Sequence, residues 1–496
     1  MRYTHRKICK EYKLDIPTLV QNAVSAFKSR NRKVAVSSIA KLIELRPALS
    51  DDWGAIARMA ATMLETKLAL KAAILYAESF PNDVQKALNA AGLMAEVGAL
   101  KEALALIKPF LEKNPDAAPL LHFVGMVKSQ LGDQEGADIC LRKTLAIWPT
   151  SGQTWLMLSA MKKFKKDDKD FIKMKEGVPL VDAAPISQQI PFYYAYGKAL
   201  LDVGDLDAAM TAYEKASQMV TQERGAFNAQ SDRQFVDHII AEHTVENFAQ
   251  LQASGNTSTR PIFVIGLPRS GTTLLEQILT SHPDVVDGAE LNFMSNAAVD
   301  IGGYSFSHLK AYEQKTLPGN GWQDIADIYL SLMDSRYGAE GRIVDKSLNN
   351  SRYVGLIRHI FPKAPIIWIR RNPLDVAWSC YRTYFNAGMT WSFNFSNIAK
   401  FLMAEDALYK HWTSLYPNEI LTVPYEGLVA DQDKWFDTIF DHIGLATTPE
   451  VKNFHENKRA VLTASVGQVR SPIHNKSVGS AEKLGDYIKP FTDIYT

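Results

Sequence analysis

A glycine-bearing loop with a basic residue lies in the second half of the chain, directly after a short apolar run, Pro261 to Ile265. An apolar segment with helical spacing follows the loop. A strand, a glycine loop and a helix in this order place backbone N–H groups around an anion, and the helix dipole favours the same charge. The pattern predicts a phosphate-binding loop, whose residues are Gly266, Leu267, Pro268, Arg269, Ser270, Gly271, Thr272 and Thr273.

This loop differs from the Walker A loop of common ATP-using enzymes at one position. Gly266 and Gly271 have the G-x-x-x-x-G spacing, but Thr272 stands where a Walker A loop has its lysine. That lysine contacts the β- and γ-phosphates, so its absence disfavours an ordinary kinase or ATPase. Arg269 supplies the positive charge instead. A P-loop kinase that has lost its lysine stays an open alternative.

A second apolar run, Ile366 to Arg370, also leads into a helical segment. Asn372 is a favourable N-cap residue, and Pro373 suits the first helical position. Arg371 is therefore expected at the end of the strand, beside the start of the helix. The sequence predicts a second anion site there.

At these two motifs the chain resembles the sulfotransferases that use 3′-phosphoadenosine 5′-phosphosulfate. It is most similar to the tyrosylprotein sulfotransferase branch and to bacterial proteins that join tetratricopeptide repeats to such a domain, and the resemblance covers residues 259 to about 490. The resemblance implies that Pro268–Thr273 binds the 5′-phosphosulfate. It also implies that Arg371, and Ser379 eight residues later, bind the 3′-phosphate.

The resemblance also implies catalytic roles. Glu290 lies at the distance from Arg269 at which the tyrosylprotein branch has its catalytic base. Lys346 follows the apolar segment Arg342 to Asp345 and resembles the family's catalytic lysine. Together with Arg269 it is expected to stabilise the transferring group and its leaving oxygen without a metal ion.

Three further cofactor contacts are implied towards the C-terminus. Tyr425 resembles a tyrosine near the nucleotide, and Ser465 resembles a serine of the loop that closes over the cofactor. Relatives have a basic-aromatic pair after Ser-Val-Gly, where this chain has Ser480 and Ala481. Lys483 can supply the charge from a shifted position, or the closing contact can be weaker, and both alternatives stay open.

The elements that must position these residues alternate between strands and helices. Ile343 to Asp345 and Ile420 to Val423 are further apolar runs of strand type. Alternating strands and helical segments predict a parallel sheet with helices on both faces.

The first part of the chain has a period of 34 residues. Proline at the end of each unit and small residues at fixed sites predict helical hairpins, because proline ends a helix and small residues let helices approach closely. The pattern resembles the tetratricopeptide repeat. Such an array either holds a peptide or partner protein in its groove or only supports the domain that follows. The repeated positions are Pro47, Pro81, Pro115 and Pro149, Ala35, Ala69, Ala103 and Ala137, and Ala57, Ala91, Gly125 and Ser159.

The predicted fold class combines an all-α part with an α/β part. An N-terminal tetratricopeptide-repeat superhelix at 1–225 is followed by a connecting helix and linker at 226–258. Residues 259–496 form a P-loop-type α/β sulfotransferase domain with a central parallel sheet.

Composition narrows the class of protein. The 496 residues are 46% hydrophobic and 22% charged with a net charge of +1, so the chain is expected to fold and has no global field for nucleic acid. Cys9, Cys140 and Cys380 form no disulfide or metal-binding pattern. Without a membrane-spanning run, the sequence predicts a soluble cytoplasmic protein.

The function predicted is transfer of a sulfuryl group from 3′-phosphoadenosine 5′-phosphosulfate to an acceptor hydroxyl. The acceptor is a peptidyl tyrosine, a saccharide or a small molecule, and a homodimer is possible. The alternatives are an adaptor with a weakly active or inactive domain of this fold, and the P-loop kinase.

Overall fold

The computed structural model describes residues 15–290, 292–385, 388–456 and 475–496. By their contacts, these residues divide into two compact units. One contains the residues up to Asn114 together with Phe293–Ala339, and the other contains Pro115–Asn292 and Glu340–Thr496. This division rests on contacts within each unit and does not test the domain boundaries after residues 225 and 258, which stay a prediction.

Helices form the regular structure of the described residues before residue 225. Most of them occur in consecutive pairs joined by short turns. Their bounds are α1 (Ile16–Lys28), α2 (Arg32–Leu45), α3 (Asp52–Thr62), α4 (Thr66–Ser79), α5 (Val84–Glu96), α6 (Leu100–Lys113), α7 (Ala118–Leu131), α8 (Gln134–Ile147), α9 (Gly152–Met161), α10 (Lys169–Asp182), α11 (Ile186–Val203) and α12 (Leu206–Arg224).

The repeated prolines mark the ends of these pairs, as predicted. Pro47 and Pro149 each follow the second helix of a pair by two residues. The indole Nε1 of Trp53 donates to the Pro47 carbonyl at 3.2 Å, and that of Trp155 donates to the Pro149 carbonyl at 2.9 Å. The same bond thus recurs in two repeat units, which confirms that the period is structural.

The small repeated residues are buried where paired helices meet. Ala35, Ala69, Ala103 and Ala137 lie in the second helix of their pairs and are almost fully buried. At Gly125 of α7 a Cβ atom would lie 3.0 Å from a methyl group of Leu141. A larger side chain would push these helices apart, so the spacing of small residues follows from close packing. The all-helical first part is confirmed.

A five-stranded parallel sheet forms the second part. Its order is β2-β3-β1-β4-β5, with every neighbouring pair parallel. All residues of β1 are buried, as expected for a strand covered on both faces. The strands are β1 (Pro261–Ile265), β2 (Val285–Ala289), β3 (Arg342–Asp345), β4 (Ile366–Arg370) and β5 (Ile420–Pro424).

Helices connect and cover these strands, and the predicted α/β architecture is confirmed. Short 3₁₀ turns lie at Val299–Ile301, Asn350–Arg352, Thr390–Phe393, Phe454–Glu456, Asn475–Ser477 and Glu482–Ile488. The α-helices are α13 (Ala229–Glu242), α14 (Val245–Phe248), α15 (Thr272–Leu279), α16 (Phe293–Ala297), α17 (Phe306–Thr316), α18 (Gly321–Tyr337), α19 (Val354–Ile360), α20 (Pro373–Tyr381), α21 (Phe395–Leu415), α22 (Tyr425–Ala430), α23 (Gln432–His442), α24 (Pro449–Lys452) and α25 (Lys489–Thr492).

Helices α11 and α12 share one hydrophobic core with α20, which follows β4. The ring of Tyr213 on α12 packs edge-on against Trp378 at 6.0 Å, and Tyr194 on α11 stacks on Tyr384 at 5.4 Å. The Arg224 guanidinium donates to the Tyr384 hydroxyl at 2.6 Å. The late helices of the repeat region therefore fix α20, which carries Ser379.

Candidate active site

All five strands lead into a predicted site residue at their carboxyl ends. Gly266 follows β1, Glu290 follows β2, Lys346 follows β3, Arg371 follows β4 and Tyr425 follows β5. Ligands of open parallel sheets bind outside this edge, next to the strand where the connection order reverses. In the order β2-β3-β1-β4-β5, that strand is β1.

The loop after β1 has the conformation of an anion-binding turn. The Ser270 N–H donates to the Leu267 carbonyl at 3.1 Å, and Gly271 is the N-cap residue of α15 with φ +104°. Ser270, Thr272 and Thr273 are buried at the start of the helix. The first N–H groups of a helix have no partner within it, so this turn can accept an anion.

Gly271 is required by both its conformation and its neighbour. A Cβ atom there would lie 2.6 Å from Cδ2 of Tyr425, and φ +104° is strained for other residues. We expect Gly271→Ala to destabilise the fold by about 1–3 kcal/mol and to weaken binding of adenosine 3′,5′-bisphosphate. Thermal unfolding with and without that nucleotide measures both effects.

Gly255 offers a matched control, because it has φ +74° but nothing within 4 Å of a Cβ atom. We expect Gly255→Ala to show the backbone strain alone, with unchanged nucleotide affinity. Equal affinity loss in both variants would contradict the role of the Gly271–Tyr425 contact.

Arg269, Arg371 and Ser379 meet beside α20, and this cluster is called the arginine corner. The Arg269 Nε donates to the Ser379 hydroxyl at 3.0 Å, and Arg371 Nη1 donates to the Arg269 carbonyl at 3.0 Å. Arg371 Nη2 donates to the Ser477 carbonyl. Its Nε is buried and has no hydrogen-bond partner among the described residues. A buried guanidinium N–H without a partner is unfavourable unless an anion or water fills the position.

Positive charge accumulates at this corner. Burial, and then the positive charge of Arg382, lower the pKa of the Arg269 guanidinium to about 10. The pKa of Arg382 is lowered chiefly by burial as well. The carboxylate of Asp375 lies 3.7 Å from Arg371 and also interacts electrostatically with Arg382, so one buried acid faces two guanidinium groups. An anionic ligand would restore the balance of charge.

The segment after residue 475 is fixed on the start of α20 by Asp375. This carboxylate accepts from the Gly479 N–H at 2.8 Å, the Ser480 hydroxyl at 2.9 Å and the Ala481 N–H at 3.0 Å. Ser480 and Ala481 therefore serve as anchors of the segment.

Lys483 is exposed two residues beyond this anchor. Partial burial and the nearby positive charge of Arg382 lower the pKa of its ammonium group. Lys483 thus belongs to the field of the arginine corner. Both alternatives for Lys483 stay predictions.

Tyr425 packs between the arginine corner and the loop that follows β1. The Arg371 guanidinium lies 4.8 Å from the centre of its ring, and the ring also lies against Gly271. Pro268 is buried, and its carbonyl accepts from the Cys380 thiol of α20 at 3.5 Å. Contacts of this kind hold the loop, the tyrosine and α20 in one arrangement.

Glu290 and Lys346 meet at the other end of the strand edge. The Lys346 ammonium is fully buried and donates to a Glu290 carboxylate oxygen, while 37% of the Glu290 side chain is exposed. A carboxylate that is partly exposed and paired with a buried ammonium can take a proton from a bound hydroxyl. The described contacts join Arg269 to Ser379 and Lys346 to glutamates, so the joint clamp of Arg269 and Lys346 stays a prediction.

Sequence reasoning missed two residues of this site. Glu276, on α15, has a carboxylate oxygen 3.4 Å from the Lys346 ammonium, and Arg382 adds to the arginine corner. A charged residue inside the apolar helix after the loop was the available signal for Glu276. Arg382 lies about one helical turn beyond Ser379, which was the signal in its case.

The described residues do not test the predictions for Ser465, for a metal ion or for a membrane span. Ser465 lies outside the described residues. In the part of the chain that the structure describes, no group of three or more His, Cys, Asp or Glu residues could hold a metal ion. The described helices include none long and apolar enough to cross a membrane.

Comparisons with known proteins bear on both parts of the chain. Residues 261–449 match the model of the Sulfotransferase family, and residues 190–219 match that of the Tetratricopeptide repeat. An uncharacterized protein of Aquifex aeolicus is 30% identical over 401 residues, which cover 79% of this chain and 52% of that protein. The chain thus spans about half the length of this relative.

A Caenorhabditis briggsae chain provisionally named a protein-tyrosine sulfotransferase is 23% identical over 226 residues, covering 44% of this chain and 79% of its own.

The similarity to solved structures is low in both sequence identity and TM-score. The sulfotransferase domain from the Synechococcus olefin synthase has 20% identity and a TM-score of 0.31, covering 47% of this chain and 98% of its own. The sulfotransferase domain from the curacin biosynthetic pathway has 17% identity and a TM-score of 0.32, covering 48% of this chain and 97% of its own. Both parts of the chain thus match a family model: residues 261–449 are similar to the Sulfotransferase family, and residues 190–219 are similar to the Tetratricopeptide repeat.

Proposed function

We propose that the chain is a sulfotransferase that moves a sulfuryl group from 3′-phosphoadenosine 5′-phosphosulfate to an acceptor hydroxyl. The observation that carries the proposal is the arginine corner, where the Nε of Arg371 is buried and has no hydrogen-bond partner among the described residues, beside the paired Arg269 and Ser379. We assign a second anion position to the start of α15. A nucleotide with one phosphate on the 3′ oxygen and one on the 5′ oxygen of its ribose would use both positions.

Each position has its own role. The N–H groups of the Pro268–Thr273 loop would hold the 5′-phosphosulfate, while Arg371 and Ser379 would hold the 3′-phosphate. Tyr425, Ser465 and Lys483 would contact the nucleotide. The donor supplies an activated sulfuryl group, and the protein orients it and stabilises charge on the leaving oxygen.

The reaction needs a proton acceptor, and we assign that role to Glu290. The acceptor oxygen bonds to sulfur while the bond from sulfur to the 5′-phosphate oxygen breaks, and the electron pair of that bond stays on the phosphate. The acceptor proton moves to the Glu290 carboxylate. Lys346 and Arg269 offset the negative charge that develops on the transferring group and the leaving oxygen.

The acceptor is a peptidyl tyrosine, a saccharide or a small alcohol. Similarity to the protein-tyrosine branch and a repeat region able to hold a polypeptide favour the tyrosine. We place the protein in the cytoplasm, with an acceptor or partner protein in the repeat groove and a homodimer as its possible assembly.

Nucleotide-dependent thermal unfolding tests donor binding. We expect adenosine 3′,5′-bisphosphate to raise the Tm without Mg²⁺, and ATP to raise it little. At about 100 times its Kd, a ligand stabilises the fold by about 2.7 kcal/mol, which a melting curve resolves. A Mg²⁺-dependent shift with ATP would contradict the proposal and favour the kinase.

Transfer itself is tested with labelled donor and a panel of tyrosine peptides, sugars and phenols. Labelled product identifies the acceptor class. A nucleotide shift without transfer to any acceptor would favour the adaptor instead.

A further inference from the structure

Lys346 lies between two carboxylates of very different exposure. Its ammonium is fully buried and contacts Glu276, which is 2% exposed, at 3.4 Å as well as Glu290, which is 37% exposed. Glu276 lies on α15, one turn beyond the phosphate-binding loop. The two acids therefore flank one buried cation, one of them inside the protein and the other at the surface.

The place of the Glu276 carboxylate is kept open by a glycine of β2. A Cβ atom at Gly288 would lie 2.8 Å from the Cβ of Val344 on β3 and 3.1 Å from Glu276 Oε1. A side chain at this position would crowd the carboxylate against the strand. The packing of α15 on β2 thus accommodates the acid beside Lys346.

Glu276 balances the charge of the buried Lys346 ammonium. A buried ammonium is stable only with a counter-charge, and removal of its partner leaves an uncompensated charge. If Glu290 were the sole partner, proton uptake by Glu290 would leave Lys346 unpaired. With Glu276 present, Lys346 keeps a counter-ion throughout the reaction.

We infer that Glu276 is a positioning residue for transfer: its carboxylate is the permanent counter-ion of Lys346 and leaves Glu290 free to take the acceptor proton. The inference rests on the proposed function. Because both carboxylates flank the same ammonium, removing the Glu276 charge makes the electrostatic field at Glu290 more positive.

The test compares Glu276→Gln, which removes the charge at similar size, with Glu276→Asp, which keeps it. We expect Glu276→Gln to lower kcat about tenfold or more and to move the acid limb of the pH–rate profile to lower pH. Donor KM should stay within about threefold, because a loss confined to the transition state leaves ground-state binding unchanged. Glu276→Asp should retain the limb near its wild-type position and recover part of kcat.

Exposed Glu340, just ahead of β3, provides the control variant Glu340→Gln, which should match the wild type throughout. An unmoved acid limb in Glu276→Gln, or equal losses in the Gln and Asp variants, would overturn the inference. A purely structural role would lower kcat without shifting the limb.

A thermal-unfolding cycle separates this inference from the proposed function. Glu276→Gln, Lys346→Met and the double variant are compared by Tm without any substrate. Non-additive shifts support the charge pair, and additive shifts overturn it. Absence of transfer by the wild type would refute the proposed function, and the cycle would still decide whether Glu276 holds Lys346.

Discussion

Replacing Glu290 with glutamine should lower kcat for sulfuryl transfer by about 10²- to 10⁴-fold, the usual contribution of a general base. The amide cannot take a proton from the acceptor hydroxyl, although it is close to the carboxylate in size. Lys346 keeps Glu276 as its partner, so the fold should persist. Steady-state kinetics with the labelled donor measure the change.

Donor binding should be nearly intact in Glu290→Gln, because the arginine corner lies at other strand ends. The Tm shift with adenosine 3′,5′-bisphosphate should therefore equal that of the wild type. Glu340→Gln again serves as the control for removal of a carboxylate from the surface. A normal kcat in Glu290→Gln would require a different base.

Most of the fold could be predicted from the sequence, because each short apolar run before a turn is typical of one element, a buried strand. Four of the five strands were predicted within one residue at each end, since each is a short apolar run ahead of a polar turn. The edge strand β2 was harder: only Val285 and Val286 are apolar, and the pairing shifts between Val285 and Asp287. Its pairing with β3, and not its own sequence, extends it to Ala289.

The site was predictable where the chain itself brings residues together. The loop and α15 are adjacent in sequence, and Arg371 precedes the helix that contains Ser379, so each pair is positioned by one strand and the helix that follows it. Glu276 and Lys346 are brought together only by tertiary packing, since they belong to different connections of the sheet. No spacing within the sequence expresses that contact.

The closing segment shows the same limit. Three groups of residues 479–481 bind Asp375 on α20, and two of the three are backbone N–H groups. Backbone donors leave no trace in side-chain identity. The sequence therefore left open how the segment closes, and it gave no sign that Gly479, Ser480 and Ala481 bind Asp375.

Replacing Arg371 with alanine should weaken donor binding, and turnover should fall mainly through the donor KM. Removal of one member of a buried, hydrogen-bonded charge pair typically costs about 2–4 kcal/mol, or about 30- to 1,000-fold in Kd. Arg371 is well placed for this effect because 7% of its side chain is exposed and its Nε has no partner among the described residues. Titration with adenosine 3′,5′-bisphosphate by calorimetry measures the change.

Its neighbour Arg370 separates a phosphate contact from a general loss of positive charge. Arg370 donates to Asp406 at 2.8 Å and lies 4.1 Å from the ring centre of Tyr409, so its charge is already balanced. We expect Arg370→Ala to leave the nucleotide Kd within about twofold, since surface charges away from a bound anion have small effects. Because Asp375 loses a nearby cation in Arg371→Ala, the Tm without nucleotide must be compared as well. Equal weakening of binding in both variants would mean that the corner attracts anions only through its overall charge, and the assignment of Arg371 to the 3′-phosphate would be wrong.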